Sequence, residues 1–458
     1  MRLYRTDLPR PPAWPPPCDG ESVSATLRYA AQRDRYGHRA HILLALVHLF
    51  CLPLAHSPGA VTFAILAVYA ISRLPHTWRC YTSLMRWPLT WLLPLLFVWY
   101  ALSLLWSADR AQGIDELGAM RMLLLPLLIW PVIDRVLWMI WAVLAGVFAH
   151  NLVQLMQMLS LFGIERPEPD RLRGLLHPIQ TGAWCSFAMC WHLAAVFQTQ
   201  RLWRWLSLAG FLVAMAGLIA TGSRGPWLAS LVVIIPGLLV FVAMKRPTRS
   251  MLLTLAAVVL IPTVLCATIG RPYIVDRIDA AQQEFRQAID SREYISSVGL
   301  RIGMWRWALE ITQKSPWIGT GAGSFEHESR QLADFQQALE RWPRNERHLA
   351  RSQPHSSHLQ FLQSTGIIGL ALFWSVLILT LRGSLRSLPD HPYAWGTPLV
   401  ALTWIIGAQF DSYHLSGTLM GALMLVVCFS LPYLLHHRES DSSCEQSDDE
   451  PSPRTNGT

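Results

Sequence analysis

The feature that most constrains this chain is a recurrence. Apolar, charge-poor runs of about 17 to 25 residues, the length an α-helix needs to cross a hydrocarbon core, return along most of the sequence. About twelve read as membrane spans, at residues 40–56, 57–74, 87–106, 118–134, 136–162, 178–198, 203–221, 227–244, 250–269, 358–381, 393–411 and 416–435. Inside a bilayer every backbone N–H and C=O must find its partner within the protein, so runs of this length predict helices. Composition agrees: 458 residues that are 52% hydrophobic and only 15% charged, with a mean hydropathy of +0.29, are too apolar for a soluble protein. The 21 tryptophans suit rings that settle at the headgroup level. The expected fold class is an all-α polytopic membrane protein with about 12 transmembrane helices.

Charge sets the orientation. The loops Arg73 to Arg86, Gln200 to Arg204, Lys245 to Arg249 and Arg382 to Arg386 all carry Arg or Lys, which predicts a cytoplasmic side. Ser107 to Glu116, Gly163 to His177, Thr221 to Pro226, a long polar segment at 271–355 and Asp411 to Ser416 then face outward. The net charge of +8 is spread over short loops and tails, so topology explains it and a nucleic-acid partner is not indicated. Residues 1–39 are Arg- and Pro-rich without the apolar core of a signal peptide and read as a cytoplasmic tail. The domain organisation expected is this tail, transmembrane helices 1–9 over 40–270, an outward loop domain at 271–357, helices 10–12 over 358–435, and a disordered cytoplasmic tail at 436–458 rich in Ser, Asp and Glu. None of the eight cysteines falls in 271–354, and no disulfide framework or zinc spacing is present.

The long segment balances basic and acidic residues and reads as a folded, mostly helical insert. One helix at 276–290 carries Ile278, Phe285 and Ile289, and a second at 298–313 places Ile302, Trp305, Leu309 and Thr312 on one face. Gly319 to Phe325 reads as a plain turn, because the strand, lysine and helix of a phosphate-binding loop are missing.

Candidate chemistry gathers on the outward face. Arg224 stands in the tight turn Thr-Gly-Ser-Arg-Gly-Pro, where it is either a snorkelling anchor or an anion ligand at a helix N-terminus. Arg301 is either a surface ion-pair partner or, flanked by Gly299 and Gly303, a ligand-facing residue. His355 and His358 lie one helical turn apart at the start of the tenth span. They could form part of a metal site, but no third ligand has the spacing, and His355 reads more naturally as a general base. Arg171, Arg173 and His177 add charge to the same face, as part of the site or as a plain connector, while Asp411 and His414 read first as solvated loop residues and second as members of the site.

These residues carry a resemblance. His355-Ser356, nine residues, then Gly366-Ile-Ile-Gly369 resembles the signature of the bacterial O-antigen ligase and polymerase superfamily, and Arg224 to Leu228 resembles its Arg-x-x-x-Leu element. Arg173-Gly174 with His177-Pro178 resembles an upstream element of the same family. Ser356 stands where Asn is commoner in the family, and Ile179-Gln180 where Asn often follows the proline.

The resemblance implies a GT-C-like glycosyltransferase of the inner membrane with its site facing the periplasm. It would move a glycan from undecaprenyl pyrophosphate to a lipid A-core acceptor, without a cofactor or metal. By the same resemblance His355 is the catalytic base and Arg224 and Arg301 bind the pyrophosphate, with Arg173, His177, Ser356, His358, Gly366 and Gly369 in support. The glycine pair is expected to be a close-packing helix surface that fixes the base. One chain of this size can contain a whole site, so a monomer among membrane lipids is expected. O-antigen polymerase and protein O-oligosaccharyltransferase remain open within the superfamily. A transporter of lipid-linked substrates is the alternative outside it, disfavoured because charge sits at one rim and not at mid-span.

Overall fold

The computed structural model of the protein describes residues 23–85, 87–161, 171–197, 201–244, 271–292, 294–342, 353–386 and 395–430, with scattered positions in 249–268 and residue 393. Residues 1–22 and 436–458, and most of the expected span at 250–269, lie outside the described residues. Among the described residues the protein is helical, with no strand. Pro88–Leu105, Arg110–Met158, Leu202–Ala220 and Ser357–Leu385 are each long and apolar enough to cross a membrane, and His56–Ser72, Arg224–Val240, Gly396–Gly407 and Gly417–Ser430 are shorter apolar helices. This is a polytopic membrane architecture.

Exposure confirms which solvent these helices meet. On His56–Ser72 the exposed face is Val61, Ile65, Val68 and Ile71, and on Arg224–Met244 it is Leu231, Val232, Ile235 and Leu239. In water such stripes would form an apolar patch far larger than monomers tolerate; against lipid they cost nothing. Pro178–Val196 is buried on nearly all sides and forms the centre of the bundle, packed by Arg201–Ala220 and Gly396–Gly407. Glycines permit the approach: a Cβ at Gly396 would run into the Trp191 backbone, and one at Gly210 into the His192 ring.

Three expectations are corrected, two of them in how helices form and face. The run 118–134 is not one helix but a 3-10 turn at Met120–Leu124, a short α-helix at Leu125–Ile129 and a 3-10 segment at Trp130–Arg135, with Val132 at φ −127°. Pro126 and Pro131 each remove a backbone donor and crowd the preceding turn, which divides the run. In the loop domain, the face of Ser297–Thr312 that turns inward is Met304, Trp307, Ala308 and Ile311, while Leu309 is exposed. The reason is the choice between two indoles. Trp307 finds a bond from Nε1 to Asp334 Oδ2 (3.0 Å) and an edge-on contact with Phe335, and so enters a separate core with Tyr294, Phe325 and Trp342. Trp305 is turned instead toward Phe410.

The loop domain is joined to the bundle by backbone. Ser357–Arg386 is interrupted at Gly366, whose φ of 67° and ψ of −169° belong to a region open essentially to glycine alone. The polar groups exposed by that break are met by the loop: Thr320 N donates to Gln363 O (2.9 Å), Gly321 N to Ser364 O (2.9 Å), Ile367 N to Pro316 O (2.8 Å) and Ile368 N to Trp317 O (3.3 Å). Gly366 is therefore a docking notch and not a helix-packing surface, which corrects the reading for that glycine, while Gly369 does lie in close contact with the neighbouring helix. A Cβ at Gly366 would collide with the Trp317 carbonyl. Gly369 lies against Trp99, whose Nε1 donates to Thr365 O (3.1 Å).

Replacing Gly366 with Ala should therefore destabilise the protein by at least about 1–3 kcal/mol from the dihedral alone, with the collision added. Thermal unfolding in detergent should show a clear drop in Tm. Gly118→Ala is the control, because a Cβ at Gly118 meets nothing within 4 Å.

Candidate functional site

The break at Gly366 lies in the same helix that begins beside His355, and the start of that helix is tightly held. Ser357 N donates to Ala408 O (2.8 Å) and Gln360 N to Ser356 O (2.9 Å). His355 itself has φ of 48°, uncommon for a residue with a side chain, and such strain is found most often at functional sites. Its Nδ1 lies 3.0 Å from Asp411 Oδ1, with both side chains about one-fifth exposed. With Nδ1–H donated to the carboxylate, Nε2 is left as the lone-pair nitrogen, the arrangement of an oriented base.

Asp411 corrects an expectation: it is the partner of His355 and not a solvated loop residue. Burial pushes its pKa up, but the bond to His355 and the charges of His355 and Arg301 outweigh this and hold it below the usual 3.8. His414 is likewise buried, against Tyr100 and Phe361.

Arg301 reaches this pair from the loop helix. Its Nε donates to Phe410 O (2.9 Å) and its Nη1 to Ser297 O (2.8 Å) and Oγ (3.0 Å), so its bonds go to neutral groups and not to a carboxylate. Burial draws its pKa down, Asp411 and Glu284 oppose this, and Arg224 adds like-charge repulsion. A guanidinium in this position gains from a further anion.

Arg224, the first residue of its helix, forks onto Glu284 with Nη1–Oε2 at 3.0 Å and Nη2–Oε1 at 3.1 Å. The same Glu284 oxygen accepts from Val298 N (3.0 Å), at the start of the Arg301 helix. One carboxylate thus ties the two arginines' helices together. Arg171 braces the Arg224 turn by donating to Thr221 O and Ser223 Oγ, both at 3.0 Å.

The supporting candidates divide. Arg173 contributes its carbonyl, which accepts from Thr181 Oγ1 (2.6 Å) and faces His150 Nε2 (3.0 Å), and His177 precedes Pro178–Val196 as an exposed cap. Gln180, two residues into that helix, donates to Ser416 Oγ (3.0 Å) and joins it to the Asp411 loop. Ser356 is buried at the helix start. His358 turns away from His355, with Nε2 3.0 Å from Ile405 O and its ring between Phe373 and Trp374. Among the described residues no group of three His, Cys, Asp or Glu is placed to hold a metal ion. The turn Gly319 to Phe325 spends its donors on protein: Ala322 N bonds Ser103 Oγ (3.1 Å) and Gly323 N bonds Glu116 Oε2 (3.0 Å).

Sequence reasoning underrated one residue and missed another. Asp411 had one signal, as the only carboxylate in its outward loop. Glu116 had none: it is 3% exposed and accepts from Tyr100 Oη (2.7 Å), Gln360 Nε2 (3.0 Å) and Gly323 N, tying three elements beneath the site.

With this geometry in place, the comparisons can be stated. The family model of the O-antigen ligases matches residues 209–374. The superfamily resemblance read from the motifs therefore holds over the stretch that carries Arg224, Glu284, Arg301, His355 and both glycines; Asp411 lies beyond it. An uncharacterised protein of Haemophilus influenzae is 21% identical over 304 residues, which is 64% of this chain and 72% of the relative.

The Asp411 pair has a pH signature. A carboxyl whose folded pKa is depressed contributes stability above its unfolded pKa, and that stability is lost as pH falls through the folded value. Thermal unfolding followed from about pH 6 down to about pH 3 should show a Tm loss that Asp411→Asn flattens. Parallel curves for the two proteins would contradict the pairing.

Proposed function

We propose that this protein is an O-antigen ligase, transferring a glycan from undecaprenyl pyrophosphate to the lipid A-core at the periplasmic face of the inner membrane. The observation that carries the reading is the His355–Asp411 pair standing beside two arginines from different elements, Arg301 and Arg224. The match to the O-antigen ligase family over 209–374 supports a membrane glycosyltransferase of this superfamily.

The chemistry asks for two things, and the cluster supplies both. An acceptor hydroxyl must lose its proton as its oxygen bonds the anomeric carbon, and His355 Nε2 takes that proton while Asp411 fixes the ring and stabilises the imidazolium. On the opposite side the bond from the anomeric carbon to the pyrophosphate oxygen breaks, and the departing lipid pyrophosphate carries the electron pair. Arg301 and Arg224 neutralise that growing charge with planar, directed donors in a partly desolvated site. One displacement inverts the anomeric configuration. Arg224 enters this role by exchanging Glu284 for a pyrophosphate oxygen, a swap of one forked anion for another.

Among the acceptors, the lipid A-core is preferred because a folded loop domain precedes His355, packs on Leu359 at the start of its helix and carries Arg301 to Phe410 beside Asp411. A polymerase or a protein O-oligosaccharyltransferase would use the same base on a sugar or a Ser/Thr hydroxyl. A transfer assay in liposomes with lipid-linked glycan and each acceptor separates these readings. Glycan on the lipid A-core supports the ligase, and transfer only to repeat units or to protein replaces it.

In that assay His355→Ala should lower kcat by about a hundred- to ten-thousandfold, and Asp411→Asn by a comparable factor through loss of the correct tautomer. Near-normal turnover of folded His355→Ala would remove it as the base. Arg224→Gln and Arg301→Gln should raise the KM for donor or lower kcat while leaving the acceptor KM nearly unchanged. An equal effect on both substrates would contradict the pyrophosphate role. Transfer should persist in a strong chelator.

A further inference from the structure

One charge in the transmembrane region takes no part in the cluster described above. Arg121 follows the helix Arg110–Ala119, donates from Nη1 to Gly118 O (2.6 Å), and forms no ion pair among the described residues. Its Nη2 lies 3.7 Å from where a Cβ on Gly417 would be, and Gly417 comes six residues after Asp411. It therefore stands at the rim that carries His355. Below it opens a cavity of about 520 Å³, within the ~300–1,000 Å³ typical of ligand pockets.

The walls are hydrocarbon. Leu93, Phe97, Ile114, Leu123 and Leu127 line the cavity between Pro88–Leu102 and the broken stretch after Arg110–Ala119, and Leu84 and Leu89 extend it toward the opposite rim. Gly118 lies on the wall beside Arg121, and a Cβ there meets nothing within 4 Å, so the glycine keeps the space open. The cavity is thus a long apolar slot with a single cation at one end.

We infer that this slot binds an anionic phospholipid from the leaflet on the His355 side, with one acyl chain along the Leu93–Phe97 wall and the phosphate paired with Arg121. Charge complementarity selects the head: a guanidinium without a carboxylate, at the edge of a low-dielectric slot, gains most from a phosphate. The dimensions select one chain and not a bundle of them, which favours a phospholipid over a multiply acylated glycolipid. Arg224, Glu284, Arg301, His355 and Asp411 are absent from its lining, so the slot is separate from the cluster proposed to hold the donor's pyrophosphate.

Native mass spectrometry of the full chain tests this, using phosphatidylglycerol and phosphatidylcholine of equal chain length as probes. The wild type should retain phosphatidylglycerol over phosphatidylcholine. Arg121→Gln should reduce that preference at least about fivefold, roughly 1 kcal/mol, and Gly118→Leu, which fills the slot, should lower retention of both lipids. Unchanged preference in Arg121→Gln, or unchanged retention in a folded Gly118→Leu, overturns the site. Displacement of phosphatidylglycerol by an equimolar polyprenyl phosphate gives the slot to the donor and overturns the phospholipid assignment. Because the readout is binding, it stands or falls separately from the transfer reaction.

Discussion

The structure depends on a hydrogen-bonding demand. A helix crossing a membrane cannot leave backbone groups unpaired in hydrocarbon, so a break such as the one at Gly366 survives only if something else supplies donors and acceptors. Here the loop segment Pro316 to Gly321 supplies them. The loop domain is therefore a structural part of Ser357–Arg386, the helix whose first turn follows His355. Glu116 adds a second tie beneath, reaching from its own helix to Gln360 and to the loop at Gly323.

From that anchor the charged cluster follows by short links. The Arg301 helix rests on the loop core, its guanidinium grips the Phe410 carbonyl, and the next residue is Asp411, which holds His355. The acceptor side and the leaving-group side of the proposed reaction thus share one piece of backbone. A shift of the loop domain would disturb His355 and Arg301 together, since Phe410 and Asp411 are adjacent.

Much of this was legible in the sequence, for physical reasons that differ by element. Long apolar runs announce spans because the bilayer punishes anything but helix, and His355, Arg224 and Arg301 stood out by local setting: a span entry, a tight turn at a helix start and a helix flanked by glycines. Asp411 was hidden because its pairing with His355 depends on the folding-back of two helices 56 positions apart, which no local pattern encodes. Gly366 was read as a packing surface because small residues at this spacing usually are one. Only the backbone dihedral reveals that it is a break. The choice of Trp307 over Trp305 for the loop core turned on one hydrogen-bond partner, Asp334, supplied from 27 residues away.

Glu284 gives the site a property that its arginines alone would lack. A bare pair of guanidiniums at a membrane surface is a sponge for every phosphate that drifts past, including the headgroups that surround it. With a forked carboxylate already seated on Arg224, a visitor must outbid it, and a single weakly held negative charge does so poorly. In the proposed reaction, two adjacent phosphates would engage Arg301 first and then take Arg224 from Glu284. On the proposed reading Glu284 is a resident competitor, and the threshold it sets favours a doubly charged ligand over a single phosphate.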